Sequence, residues 1–133
     1  MSIRLFAIRY SLFSNPMRHH DKNRKLGREK SQRVALLRSL ARSLLLAGGI
    51  TTTTAKAKAL RPYIERVITA GKSGTLEDIR RNVAKLGGAR DATAKLRELA
   101  KRYEKRSGGY TRIVRIGRMG KRVSDMSRIE LLN

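Results

Sequence analysis

Residues 50 to 74, ITTTTAKAKALRPYIERVITAGKSG, change character within a few positions. Ile50 to Thr53 is a β-branched run too rich in Thr to favour helix, and it reads as a short strand. From about Ala55 to Ala70, Leu60, Ile64, Val67 and Ile68 recur at helical spacing, leaving Lys56, Arg61 and Arg66 to solvent or to a polyanion. Thr54 stands where a capping hydroxyl is wanted. Pro62 has no amide to donate and is expected to kink this helix or mark a restart.

Upstream, residues 29 to 46 form an uninterrupted helical pattern with Val34, Leu37, Leu40, Ala41 and Leu44 on one stripe. Arg38 and Arg42, four apart beside that stripe, point together at solvent or phosphate. Downstream, Thr75 and Asp78 make a capping-box-like start to a third helix reaching Leu86, with Leu76, Ile79 and Val83 inward and Arg80 and Arg81 outward. Asp91 caps a fourth helix whose buried stripe is Leu96, Leu99, Ala100 and Tyr103. Gly48–Gly49, Gly87–Gly88 and Gly108–Gly109 are each expected to end a helix. Residues 110 to 117, YTRIVRIG, and 127 to 132, SRIELL, read as two strands of a hairpin with a flexible basic tip at Gly117, Arg118, Gly120, Lys121 and Arg122. The expected fold is a compact single α/β domain of the α+β kind, ordered α-β-α-α-α-β-β, with helices packed on a small three-stranded sheet.

Two segments precede that domain, which spans residues 29 to 133. Residues 17 to 28, MRHHDKNRKLGR, crowd Arg18, Lys22, Arg24, Lys25 and Arg28 around two apolar positions, too few to fold alone. Beside a basic domain, such a stretch is expected to be an extended arm that enters RNA. Residues 1 to 16 contain no acid and differ abruptly in composition. An upstream start extending the true protein is the favoured reading, ahead of a partner-ordered arm or a targeting segment.

The charge balance selects the partner class. Lys and Arg number 32 against 10 Asp and Glu in 133 residues, a net charge of +22. A compact body carrying that much positive charge repels itself, and a polyanion relieves the repulsion. Phosphates neutralised by Lys and Arg release condensed counterions, so nucleic acid is the expected partner and salt should weaken its binding steeply. A membrane is not expected, since the charge is spread over the whole chain and no stretch approaches the roughly twenty apolar residues of a span. With no Trp, 2 Phe and 4 Tyr, contacts to shape and phosphate are expected before base stacking. Cys is absent, which removes disulfides and thiolate metal sites together.

Catalytic patterns are lacking. Several carboxylates are expected in helix-surface ion pairs, Glu77 with Arg81, Glu98 with Arg102 and Glu65 with Arg61. His19 and His20 have no Cys or third His to complete a metal site. Gly71-Lys72-Ser73 imitates the end of a phosphate-binding loop, but the required earlier Gly is replaced by Arg66. No Ser sits in a G-x-S-x-G elbow. An enzyme, a cofactor and a small-molecule substrate are therefore not expected. The rival reading is a DNA-binding or nucleoid protein using the turn Gly87 to Arg90 as part of a helix-turn-helix.

RKLGR at 24 to 28, LLRSLARSLL at 36 to 45, the 50 to 74 stretch, GGYTRIVRIG at 108 to 117 and IELL at 129 to 132 together resemble the bacterial large-subunit ribosomal protein family numbered seventeen. The resemblance runs from Met17 to the C-terminus in one register. It implies a structural constituent of the large ribosomal subunit near the nascent-chain exit tunnel, with large-subunit ribosomal RNA and neighbouring ribosomal proteins as partners and the cytoplasm as its place. The family's Met-Arg-His opening falls on Met17, Arg18 and His19, so residues 1 to 16 have no counterpart. Departures from the family pattern are Gln32 before Arg33, Ala47 with the Gly pair before Ile50, and no Pro near Asp125. The residues expected at RNA are Arg18, His19, Lys22, Arg24, Lys25 and Arg28 in the arm, and Arg38 and Arg42 on the first helix. Lys56, Lys58 and Arg61 follow the Thr run, with Arg80 and Arg81 on the third helix. Tyr110, Arg112, Arg118, Lys121 and Arg122 complete the set in the hairpin.

Overall fold

The short Thr-rich strand finds its partner at the far end of the chain. In the computed structural model, which describes residues 24–119 and 124–132, β1 (Gly49–Thr53) pairs antiparallel with β3 (Asp125–Leu131), and β3 pairs antiparallel with β2 (Thr111–Arg118). The sheet order is β1-β3-β2, so the last strand is the central one. Side chains alternate across a strand, which puts Ile50, Ile129 and Ile113 in one row. That row faces the core, while Arg112 and Arg128 on the opposite face are exposed. A register shift between Arg115 and Gly117 marks a bulge toward the hairpin tip.

Four helices complete the fold, α1 (Lys30–Ala47), α2 (Thr54–Lys72), α3 (Leu76–Lys85) and α4 (Arg90–Arg102), with α1 and α2 packed on the inner face of the sheet and α3 and α4 packed on those helices. The expected order of elements and the α+β class therefore hold. The α2 helix is the hub, touching the other three helices and all three strands. Its stripe of Ala57, Leu60, Ile64, Val67 and Ile68 is fully buried, joined by Leu44 and Leu45 of α1 and by Leu96 and Leu99 of α4. Gly48 ends α1 at φ 73°, a conformation that only Gly adopts cheaply, and its amide closes back on the Leu44 carbonyl at 2.9 Å.

Local details differ from the pattern reading where a tertiary partner takes over. Thr54 is the first residue of α2 and does not cap it; Thr53 occupies the cap position without a side-chain bond. The Thr54 hydroxyl instead donates to the Asp125 carbonyl at 3.1 Å and shares a 2.7 Å bond with the buried Ser127 hydroxyl. The start of α2 is thereby tied to the central strand. Pro62 does not interrupt α2, because it is exposed and water can serve the carbonyl its ring leaves without a donor. Asp91 lies within the first turn of α4, and Ala89 is at the cap. The Gly108–Gly109 pair does not end α4, which stops at Arg102; it leads into β2.

The largest departure is in α3. Leu76 is 63% exposed and Val83 37% exposed, whereas Asn82 is only 2% exposed and its Oδ1 has no partner among the described residues. A ten-residue helix held mainly by one neighbour buries the narrow face that meets α2 and leaves the rest of its apolar stripe in solvent.

Two stability predictions arise here. Gly71 lies inside the last turn of α2, where an added Cβ would meet Leu96 Cγ at 3.4 Å and Ala100 Cβ at 3.6 Å, both ordinary contact distances. Gly71→Ala should therefore raise stability by about 0.5 kcal/mol through lost freedom of the unfolded chain, read as a higher urea midpoint at unchanged slope. At the start of α3, Thr75 Oγ1 accepts the Asp78 amide at 3.2 Å and donates to Asp78 Oδ2 at 2.7 Å, and the Ser73 hydroxyl also donates to that carboxylate. The Ser73 bond first, then the Thr75 bond, holds the Asp78 carboxyl below its ordinary value. A carboxyl whose folded pKa is depressed adds stability above its unfolded pKa and loses it as pH falls through the folded one. The stability difference between the native chain and Asp78→Asn should accordingly shrink on acidification from neutral pH to below about pH 4, followed by urea titration at each pH.

Candidate nucleic-acid interface

The acids are unevenly placed along the chain. Residues 30 to 64 contain no Asp or Glu and seven cations, Lys30, Arg33, Arg38, Arg42, Lys56, Lys58 and Arg61. Residues 65 to 104 contain six acids. In the fold this becomes a division between elements, with α1 and the first part of α2 on one side of it and α3 and α4 on the other.

Helix polarity sharpens the division. α3 begins with Glu77 and Asp78 and ends with Lys85, and α4 begins with Asp91 and ends with Lys101 and Arg102. Both follow the rule that acids stabilise the positive end of a helix and bases the negative end. α1 and α2 have no acid in their first turn, and α1 has no base in its last. Lys30 and Arg33 crowd the first turn of α1, where the only acid nearby is Glu29 at the cap, and Lys56 stands in the first turn of α2 with no acid beside it. A local rule followed on α3 and α4 and relaxed on the cation-rich starts of α1 and α2 is the kind of inconsistency found at functional surfaces.

The residues picked from sequence fall into four groups. Arg24, Lys25 and Arg28 are exposed in the turn leading into α1, where the Arg28 amide bonds the Lys25 carbonyl at 3.1 Å and Leu26 takes φ 55°. Arg42 and Lys58 are exposed on α1 and α2, and Lys56 is half-buried. Arg38 is exposed but engaged, because its guanidinium lies against the Tyr63 phenol, which donates to the Lys85 carbonyl at 2.6 Å. Burial pushes the Tyr63 phenol up, with Arg38 opposing. Arg38 thus braces α1 against α2 while presenting charge.

A second group is already neutralised. Arg61 pairs with Glu65 at 3.5 Å, and Arg81 with Glu77 and with Asp78 at 3.6 Å. Arg112 reaches Glu130 at 2.9 Å, with Arg128 on the other oxygen at 3.5 Å, and Arg118 stands 4.0 Å from Asp125. Glu98 takes Lys95 at 2.7 Å, and that bond lowers its carboxyl pKa first, with Arg102 contributing charge. Arg80 is exposed on α3 among these acids.

Tyr110 requires correction. It is 0% exposed, its ring centroid lies 5.1 Å from that of Tyr103, and its hydroxyl donates to the Arg106 carbonyl at 3.1 Å. Lys72 Nζ donates to the same hydroxyl at 3.3 Å. The sequence reading set Tyr110 among the hairpin residues expected at RNA; the fold instead turns its side chain into the core. Arg18, His19, Lys22, Lys121 and Arg122 lie outside the described residues. Lys30 and Arg33 were missed, although the acid-free run from 30 to 64 announced them. Among the described residues no group of three His, Asp or Glu is placed to hold a metal ion, and no helix is long and apolar enough to cross a membrane.

A family model described as Ribosomal protein L17 matches residues 36–132. The chain belongs to the ribosomal protein L17 family. Similar L17-family proteins include large ribosomal subunit protein bL17 of Gemmatimonas aurantiaca, 48% identical over 117 residues covering 87% of this chain and 98% of the relative. The bL17 protein of Petrotoga mobilis is 44% identical over 124 residues, covering 87% and 97%, and that of a Hydrogenobaculum species 49% identical over 100 residues, covering 75% and 85%. The L17 match includes α2 and the whole sheet, so the hub of the fold and the Thr run that opens it lie within the shared region.

Proposed function

We propose that the chain is a structural, non-enzymatic constituent of the large ribosomal subunit in the cytoplasm, binding large-subunit ribosomal RNA through the acid-free surface of α1 and the start of α2, extended by an arm at residues 17 to 28. The observation that carries this reading is the run of seven cations and no acid over residues 30 to 64, which the fold places on α1 and the start of α2. RNA phosphates would neutralise these cations and release counterions. The strongest contacts are assigned to Arg24, Lys25, Arg28, Lys30, Arg33, Arg42 and Lys58, with Arg18, His19 and Lys22 of the arm and Lys121 and Arg122 of the hairpin tip in supporting roles. The protein would stabilise the approach of separate RNA helices near the exit tunnel by neutralising their phosphates, with other ribosomal proteins alongside. Docking of α3 and α4 on DNA is disfavoured, since Glu77, Asp78, Asp91 and Glu98 would face phosphate there.

Co-sedimentation tests the reading. The chain should travel with large subunits at moderate salt and leave them only at high salt. A chain that stays at the top of the gradient at every salt concentration refutes it.

A further inference from the structure

The fold leaves an apolar seam uncovered between α3 and α4, the elements that carry most of the acids of residues 65 to 104. α3 and α4 touch only lightly, and between them run two adjoining depressions that share Arg97. Their floor is Ile79, Val83, Ala94 and Ala100. Leu76, one helical turn before Ile79 on the same stripe, extends the apolar surface into solvent. No aromatic side chain lines the seam, so it offers no platform for bases, and an apolar floor gains nothing from phosphate. The rim is charged: Arg90, Arg97 and Lys101 border the floor, against the single acid Glu104.

We propose that this seam docks a segment of a neighbouring protein in the large subunit, one that lays apolar side chains along Ile79 and Val83 and sets carboxylates against Arg90, Arg97 and Lys101. Charge complementarity commits the occupant. Placing apolar groups between these helices removes Val83 and Leu76 from water, while carboxylates flanking them meet guanidinium and ammonium groups at the rim. A second copy of this chain fits poorly, since its own surface is strongly cationic. The proposal rests on the ribosomal reading and adds a direction to it: RNA on α1 and the start of α2, protein on α3 and α4.

The test places a diazirine-bearing lysine analogue at Arg97, and in a second preparation at Arg42, in chains assembled into large subunits and then irradiated. The Arg97 probe should give a protease-sensitive, nuclease-resistant adduct to a peptide containing both apolar and acidic residues, and the Arg42 probe a nuclease-sensitive adduct. An Arg97 adduct to RNA, to a peptide without acids, or to nothing overturns the proposal even if Arg42 crosslinks to RNA as expected. Failure of Arg42 to reach RNA while Arg97 captures an acidic peptide counts against the RNA surface and leaves the docking seam standing.

Discussion

Replacing Arg33, Arg42 and Lys58 together by Ala should lower the slope of log affinity against log salt for ribosomal RNA by about two to three. Each of these side chains lies on the acid-free part of the chain, and none has a carboxylate within ion-pair distance among the described residues. Their removal should not cost folding, because no core contact depends on them. At about 50 mM salt the loss of affinity should be on the order of tens-fold and should narrow as salt rises, since counterion release is what disappears. The matching control is Arg80, Arg81 and Arg112 to Ala, which removes as many charges from surfaces where acids stand beside them. It should change the slope by less than half as much. Filter binding across a salt series measures both, and equal slopes for the two triple variants would contradict the assignment of a face.

Tyr110 gives the other large effect, on stability rather than on RNA. Tyr110→Ala should cost about 3 to 5 kcal/mol, because a fully buried aromatic is removed from the junction of β2, α2 and the turn after α4. A cost of that size can abolish folding of a small domain, so Tyr110→Phe is the informative variant. It keeps the ring packed on Tyr103 and loses the bonds to Arg106 and Lys72, for a cost of about 1 to 2 kcal/mol. RNA affinity of the folded Tyr110→Phe protein should match that of the native chain. A stable variant with weakened RNA binding would restore Tyr110 to the interface.

The elements legible in the sequence were those set by period and by Gly. Leu60, Ile64, Val67 and Ile68 named the buried face of α2, because a long periodic pattern leaves one consistent face, and the β-branched runs at 110 to 117 and 127 to 132 marked the two hairpin strands without saying which face is inner. The placement of β1 against β3 was not legible, since pairing across more than seventy residues leaves no local trace. Thr54 looked like a cap and became a cross-link because the hydroxyl of Ser127, seventy-three residues away, outbid the local amide. In α3 the stripe of Leu76, Ile79 and Val83 was read as core, but a stripe records only that a face is apolar. Whether the chain itself covers it depends on packing that periodicity does not contain.

For the interface, charge was legible and partnership was not. Arg42 and Lys58 hold no ion pair among the described residues, whereas Arg112 and Arg81, equally basic in sequence, are committed to Glu130 and Glu77. The pairing of Arg81 with Glu77 follows helical spacing and was foreseen. That of Arg112 with Glu130 depends on strand register and was not. Asymmetry of acid content along the chain, visible at residues 30 to 64, carried more information than any single Lys or Arg.

The most direct measurement is a map of ultraviolet crosslinks between ribosomal RNA and this chain in purified large subunits. Crosslinked peptides should cluster at residues 24 to 42 and around Lys58, with none from the α3–α4 seam between Ile79 and Ala100. Crosslinks concentrated on α3 and α4, with α1 untouched, would contradict the claim that the acid-free run of cations on α1 and the start of α2 marks the face that meets RNA.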